Sequence, residues 1–228
     1  MRSVFVTGTD TEVGKTVVCG LLAAYLQTQG HRVITQKWIQ TGTQDGDEDV
    51  TSHAAFMNGV EDATLWSNKR VPYRFALPAA PHLAATQEGR IINESTITAA
   101  FTDLQSAFEC VVVEGIGGLL VPIDGQRLVV DLAQDLSLPV LVVVANKLGA
   151  INHTLLTIEA LRQRKMDIVG LVFNDVPDQD PAVAADNPHI IGQHTGLDIL
   201  GHLPWSRPVT TLVEPFKAIG ARIAAYLS

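Results

Sequence analysis

Between a short apolar run, Val4-Phe5-Val6, and a helical stripe lies the segment Gly8-Thr9-Asp10-Thr11-Glu12-Val13-Gly14-Lys15-Thr16. A glycine-rich turn that leaves a strand and opens a helix with Gly-Lys-Thr is the setting of a phosphate-binding loop. The residue types follow from the chemistry. Gly14 lets the backbone approach a phosphate and turn N–H groups toward it. The helix N-terminus adds a partial positive charge. Lys15 has the reach for β- and γ-phosphates, and the Thr16 hydroxyl is a ligand type for Mg²⁺. Five residues separate Gly8 from Gly14, one more than in the common loop. Such a loop needs a strand before it and a helix behind it, which points to a sheet binding its ligand at the strand ends.

The rest of the chain agrees with that demand. After Lys15, Val18, Leu21, Leu22 and Tyr25 fall on one helix face, and Gly30 stops the helix. Val33-Ile34 opens a second strand. The runs Cys110 to Val113, Leu119 to Ile123, Pro139 to Ala145 and Ile168 to Phe173 read as buried strands. Continuous β-branched runs suit a parallel sheet covered on both faces. Helical stripes follow at Ile151, Leu155, Ile158 and Leu161, and at Leu212, Phe216, Ile219 and Ile223. The alternation predicts an α/β fold of P-loop NTPase-like form: a mostly parallel sheet with helices on both faces. From Thr43 to about Gln105 the pattern is less regular, and helices and loops over one end of the sheet are expected there. Neither a repeat nor a linker appears, so residues 1–228 are expected to form one domain.

Composition narrows the function classes. Hydrophobic residues make up 46% and charged residues 18%, which excludes disorder as the default. Lys and Arg number 16 against 24 Asp and Glu, a net charge of −8, so nothing global draws the chain to nucleic acid or an anionic membrane. Cys19 and Cys110 sit among apolar neighbours and read as buried free thiols of a reducing compartment. The N-terminus lacks a secretory pattern, and no apolar run approaches the roughly 18 residues of a membrane span. The expectation is a cytoplasmic protein with no nucleic-acid and no membrane partner. The seven histidines show no metal-site spacing.

Acidic and basic partners for a phosphate-bound cation come next. Glu114 ends an apolar run and precedes Gly115-Ile116-Gly117-Gly118. A carboxylate at the C-terminal edge of a parallel strand sits where such sheets bind ligands, and Mg²⁺ on phosphates usually takes one or two carboxylates. In the cluster Asp45, Asp47, Glu48 and Asp49, Asp49 begins a helix-like segment and is a candidate second ligand. Lys37 follows the second strand and should share the sheet edge with the phosphate loop, where it can stabilise charge in phosphoryl transfer. Thr41 can hydrogen-bond a polar substrate.

Together these residues resemble the dethiobiotin synthetase family. The carriers are the Val6 to Thr16 loop, Lys37 with Thr41-Gly42, Pro81-His82, Val113-Glu114-Gly115 with Gly117-Gly118, Lys147-Leu148-Gly149-Ala150-Ile151-Asn152-His153, and Asn174-Asp175. The longer loop is itself a trait of that family. Trp38-Ile39 stands where the family usually shows Pro-Val. The resemblance implies ATP-dependent carboxylation and ring closure of 7,8-diaminopelargonate, through a carbamate and a carbamic–phosphoric anhydride. It implies Mg²⁺ held by Thr16, Asp49 and Glu114, and catalytic roles for Lys15, Lys37 and Thr11. It implies nucleotide contacts from Glu12, Val13, Gly14, Lys15, Thr16 and Val17, from Asp49, Glu114, Gly115, Ile116 and Gly117, and from Asn174, Asp175, Leu203, Pro204 and Trp205. Thr41, Gly118 and Asn152 would meet the diamine, Asn152 from the neighbouring subunit of a homodimer.

Two other readings share the broad fold. A MinD/ParA-like nucleotide switch typically carries an extra lysine early in the loop, and Thr9 to Val13 contain none. An amidotransferase-type synthetase would need a glutaminase domain, for which the chain is too short.

Overall fold

The computed structural model describes residues 1–43, 48–57 and 63–228, which leaves Asp45 and Asp47 outside the described residues. In chain order the elements are β1 (Val4–Gly8), α1 (Lys15–Thr28), β2 (Val33–Lys37), β3 (Ile39–Thr41), α2 (Glu48–Ala54), α3 (Ala63–Arg70) and β4 (Tyr73–Phe75). Then come α4 (Pro81–Gln87), α5 (Glu94–Ala107), β5 (Cys110–Gly118), α6 (Val129–Asp135), β6 (Val140–Asn146), α7 (Ala150–Gln163), β7 (Ile168–Asp175), α8 (Pro181–Thr195), β8 (Ile199–Leu203) and α9 (Val213–Leu227).

Six strands form one sheet in the order β2-β5-β1-β6-β7-β8, and every pairing in it is parallel. Alternate residues of each strand feed opposite cores, as the two-residue period of a strand requires. Phe5, Ile34, Val111, Val113, Val142 and Phe173 face the layer of α5 to α8, where Phe101, Leu132, Ile158 and Ile191 are buried. Val4, Val6, Val112, Val143 and Val172 face α1 and α9 and pack with Leu22, Leu26, Phe216 and Ile223. Both faces being covered explains why these strands read as unbroken apolar runs. β1 sits at the centre, between β5 and β6, so the loop after it opens at the switch point of the sheet. Cys19 and Cys110 are buried and unbridged. Among the described residues, no helix is long and apolar enough to cross a membrane.

Two expectations are corrected. Leu119 to Ile123 is not a strand: β5 runs on through Gly118, and the chain then turns at Leu119-Leu120. The Asp124 carboxylate accepts the N–H groups of Gln126 and Arg127 at 2.8 Å each, closing a turn, and Pro122 pairs only in an isolated bridge with Leu128. Leu119 and Ile123 are apolar because they plug the core beside the sheet, not because they extend it. Gly115 to Gly118, read as following a strand end, belong to the strand itself. The irregular stretch holds helices, as expected, together with a small parallel pair, β3 with β4, placed beside the phosphate loop.

Candidate active site

The loop after β1 is shaped by two left-handed residues. Gly14 has φ of 96° and Glu12 has φ of 55°. A Cβ on Gly14 would lie 1.9 Å from Nδ2 of Asn174, which itself donates to the Val13 carbonyl at 3.0 Å. Gly14→Ala is therefore both strained and sterically blocked. It is expected to weaken ADP binding at least about tenfold and to lower Tm, checked by titration calorimetry and thermal unfolding.

At the mouth of α1 five side chains converge. The Thr16 hydroxyl donates toward Glu114 Oε1 at 2.9 Å and lies 3.2 Å from Asp49 Oδ1. Lys37 Nζ bridges the same two carboxylates, at 2.8 Å from Asp49 Oδ2 and 2.9 Å from Glu114 Oε1, and donates to the Gly115 carbonyl at 3.0 Å. The fifth member, His53, contacts Glu114 Oε2 at 2.7 Å. The convergence is a product of register: Lys37 of β2 lies directly beside Glu114 of β5. α2 brings Asp49 over them.

Charge here is tightly balanced. Burial opposes ionisation of Glu114, yet the Lys37 ammonium and the His53 contact outweigh it and hold the carboxyl at about 2. Burial likewise works against the Lys37 charge, but Glu114 and Asp49 more than offset it and push the ammonium upward. Lys15 lacks so close an anion. Its Nζ donates to the Asp10 carbonyl at 2.9 Å, and burial, then repulsion from Lys37, draws it down to about 8. A lysine so placed gains from an incoming phosphate.

A cleft of about 820 Å³ opens over this cluster. It brings together Thr11, Glu12, Gly14, Lys15, Thr16, Val17, Lys37, Thr41, Asp49, Glu114, Ile116 and Gly117 from the residues singled out in the sequence. Others lie elsewhere. Val13 is buried beneath the loop, and Gly115 contributes only its carbonyl to Lys37. Gly118 lines a second cavity of about 370 Å³ with His153 and Leu156. Asn152 is exposed on the first turn of α7. Asn174 pairs with Leu203 across β7 and β8, ahead of exposed Pro204 and Trp205, on the far side of the loop from Lys37. Asp175 accepts from Asn146 Nδ2 at 2.8 Å.

His53 escaped the sequence reading, although a signal was there. Asp49 and His53 stand four residues apart on one helix, so a face that presents one presents the other.

The cluster supplies three hard oxygen ligands, two of them anionic, from Thr16, Asp49 and Glu114. That donor set fits Mg²⁺, which prefers oxygen and takes few protein ligands beside phosphates.

A family model described as an AAA domain matches residues 2–212. The chain is 41% identical to the ATP-dependent dethiobiotin synthetase BioD of Chlorobaculum tepidum, over 82% of this chain and 78% of that one. With the enzyme of the same name from Anaeromyxobacter dehalogenans the identity is 39% over 99% and 98% of the two chains. Among solved structures, the MinC:MinD cell division complex of Aquifex aeolicus superposes with a TM-score of 0.62 over 99% of this chain and 96% of that one, at 14% identity. The pNOB8 ParA bound to nonspecific DNA gives 0.60, over 98% and 97%, at 12%. Likeness at such low identity speaks for a shared fold and for nothing further. Identity near 40% along almost the whole length is of another order, and by it this chain belongs to the ATP-dependent dethiobiotin synthetase family.

Proposed function

We propose that this protein makes dethiobiotin from 7,8-diaminopelargonate, CO₂ and ATP. The observation that carries the reading is Lys37, buried between two carboxylates and next to Thr16, in the same cleft as the phosphate loop. Among the described residues, that cleft is lined by no serine, cysteine or histidine. In this reading the nucleophile is made from the substrate. One amine takes up CO₂ and loses a proton, giving a carbamate. A carbamate oxygen attacks the γ-phosphorus and ADP leaves, forming a carbamic–phosphoric anhydride. The second amine attacks the carbamoyl carbon and gives up a proton, the C–O bond to phosphate breaks, inorganic phosphate leaves with that oxygen, and the ureido ring closes.

In this reading the protein supplies positioning and charge. Lys15 and the loop N–H groups hold the β- and γ-phosphates, and Thr11 lies near the transferred group. Lys37 faces the anionic carbamate and the charge developing on the phosphoryl group. Thr16, Asp49 and Glu114 would hold Mg²⁺. Bound there, the ion would neutralise phosphate charge. Asn174 and Asp175 would meet the base, with Leu203, Pro204 and Trp205 beside them. Thr41 and the Gly115 to Gly118 backbone would meet the diamine.

A homodimer fits the surface beside the second cavity. Leu120 and Leu156 line that cavity and are exposed, and Leu148, just ahead of α7, is 81% exposed. Asn152 from one copy would reach the diamine carboxylate of its neighbour. Leu148→Asp is expected to give a monomer by sedimentation velocity and to raise the KM for the diamine at least about tenfold, as loss of an interface anchor does. An unaltered dimer with unaltered KM would contradict this placement.

The test of the function is ADP release with Mg·ATP and bicarbonate, with and without 7,8-diaminopelargonate, and product mass. Diamine-dependent release with stoichiometric dethiobiotin is expected. Diamine-independent ATP hydrolysis with no product would refute it.

A further inference from the structure

The reaction scheme uses Glu114 and leaves His53 without a part. His53 is fully buried on α2, and its Nε2 lies 2.7 Å from Glu114 Oε2. Among the described residues its Nδ1 has no hydrogen-bond partner. To donate to an ionised carboxylate the ring carries a hydrogen on Nε2, the nitrogen turned to Glu114. An arrangement that leaves one ring nitrogen unpaired places the whole polar value of the ring in the Glu114 contact.

The backbone that carries the ring is held close against α1. A Cβ on Gly20 would come within 3.1 Å of His53 Cα and 2.6 Å of the Phe56 ring, so α2 sits directly against the bare backbone of α1. Cys19 Sγ, His53 and Glu114 present atoms within 4.8 Å of one another. Burial pushes the Cys19 thiol well up, so it stays neutral beside the carboxylate. The two oxygens of Glu114 are thereby divided: Oε1 faces Thr16 and Lys37, and Oε2 is committed to His53.

We propose that His53 is a positioning residue, fixing the rotation of the Glu114 carboxylate so that Oε1 is presented to a divalent cation beside Thr16 and Asp49. Hydrogen bonds that orient a metal-ligating carboxylate from behind are commonly worth 10–100-fold in metal affinity. The inference rests on the reading of Glu114 as a Mg²⁺ ligand.

The experiment measures Mn²⁺ binding in the presence of ADP by electron paramagnetic resonance, on the full chain and on His53→Leu, His53→Gln and Glu114→Gln. His53→Leu is expected to weaken Mn²⁺ about 10–100-fold while ADP affinity in chelator is unchanged. His53→Gln, whose amide can donate to Oε2, is expected to recover most of the loss. Should His53→Leu fail to fold, His53→Met takes its place. Native Mn²⁺ affinity in a folded His53→Leu or His53→Met, with Glu114→Gln weakened, overturns the role of His53 alone. Equal loss in His53→Gln and the apolar variant overturns it too. Native affinity in Glu114→Gln overturns the metal reading and this inference with it.

Discussion

Lys37→Ala is expected to lower kcat about 10³-fold while leaving ADP affinity nearly unchanged. The split follows from what Lys37 touches. Its ammonium is bonded to Asp49, Glu114 and the Gly115 carbonyl, while in the proposed reading it is Lys15 and the loop N–H groups that hold the nucleotide. Lys37 is held charged at the centre of a low-dielectric pocket, so charge that appears only as phosphoryl transfer begins is stabilised there more than bound ATP is. Its removal also leaves two carboxylates facing each other, which favours cation binding and does not weaken it. Rates by coupled ADP assay and affinity by calorimetry, on the same preparation, check the split. An equal fall in affinity and rate would make Lys37 a binding residue only.

Glu114→Ala is expected to cost about 3–5 kcal/mol of folding stability, the usual penalty for orphaning a buried charge, and to lower Tm by on the order of 10 °C. Lys37 would keep only the partly buried Asp49 of its ion-pair network, and His53 Nε2 would lose its acceptor. The pH dependence has a definite sign. The Glu114 carboxyl is held at about 2 in the folded protein, below its ordinary 4.5, so its contribution is complete above pH 4.5 and is lost as pH falls toward 2. The stability gap between wild type and Glu114→Ala, measured by urea denaturation, is expected to be widest near neutrality and to narrow below pH 4.5. A gap independent of pH would mean that Glu114 acts through packing and not charge.

The phosphate loop was legible because it is local: strand, turn and helix follow one another, and Gly14 and Lys15 declare their roles by type. Glu114 and Lys37 were legible by position, since Glu114 closes an apolar run and Lys37 comes at the end of the second strand, both at the ligand edge of a parallel sheet. That the two meet is a matter of register between strands distant in sequence, and no local pattern fixes it. Leu119 to Ile123 misled because an apolar run does not distinguish a strand from a plug for the core. β8 was not read at all: Gly201 and His202 interrupt its apolar pattern, and it is an edge strand with fewer residues to bury. His53 was passed over because histidines were searched for metal spacing, whereas its partner is a carboxylate 61 residues away.

The central claim is that the attacking oxygen on the γ-phosphorus comes from CO₂, not from water. Turnover with ¹⁸O-labelled bicarbonate, freshly mixed and sampled before exchange with solvent, tests it. One ¹⁸O atom in the released phosphate for each dethiobiotin formed is the predicted result. Phosphate without ¹⁸O, its one new oxygen taken from solvent, with ATP consumed, would mean hydrolysis of the kind a nucleotide switch performs, and would contradict the account.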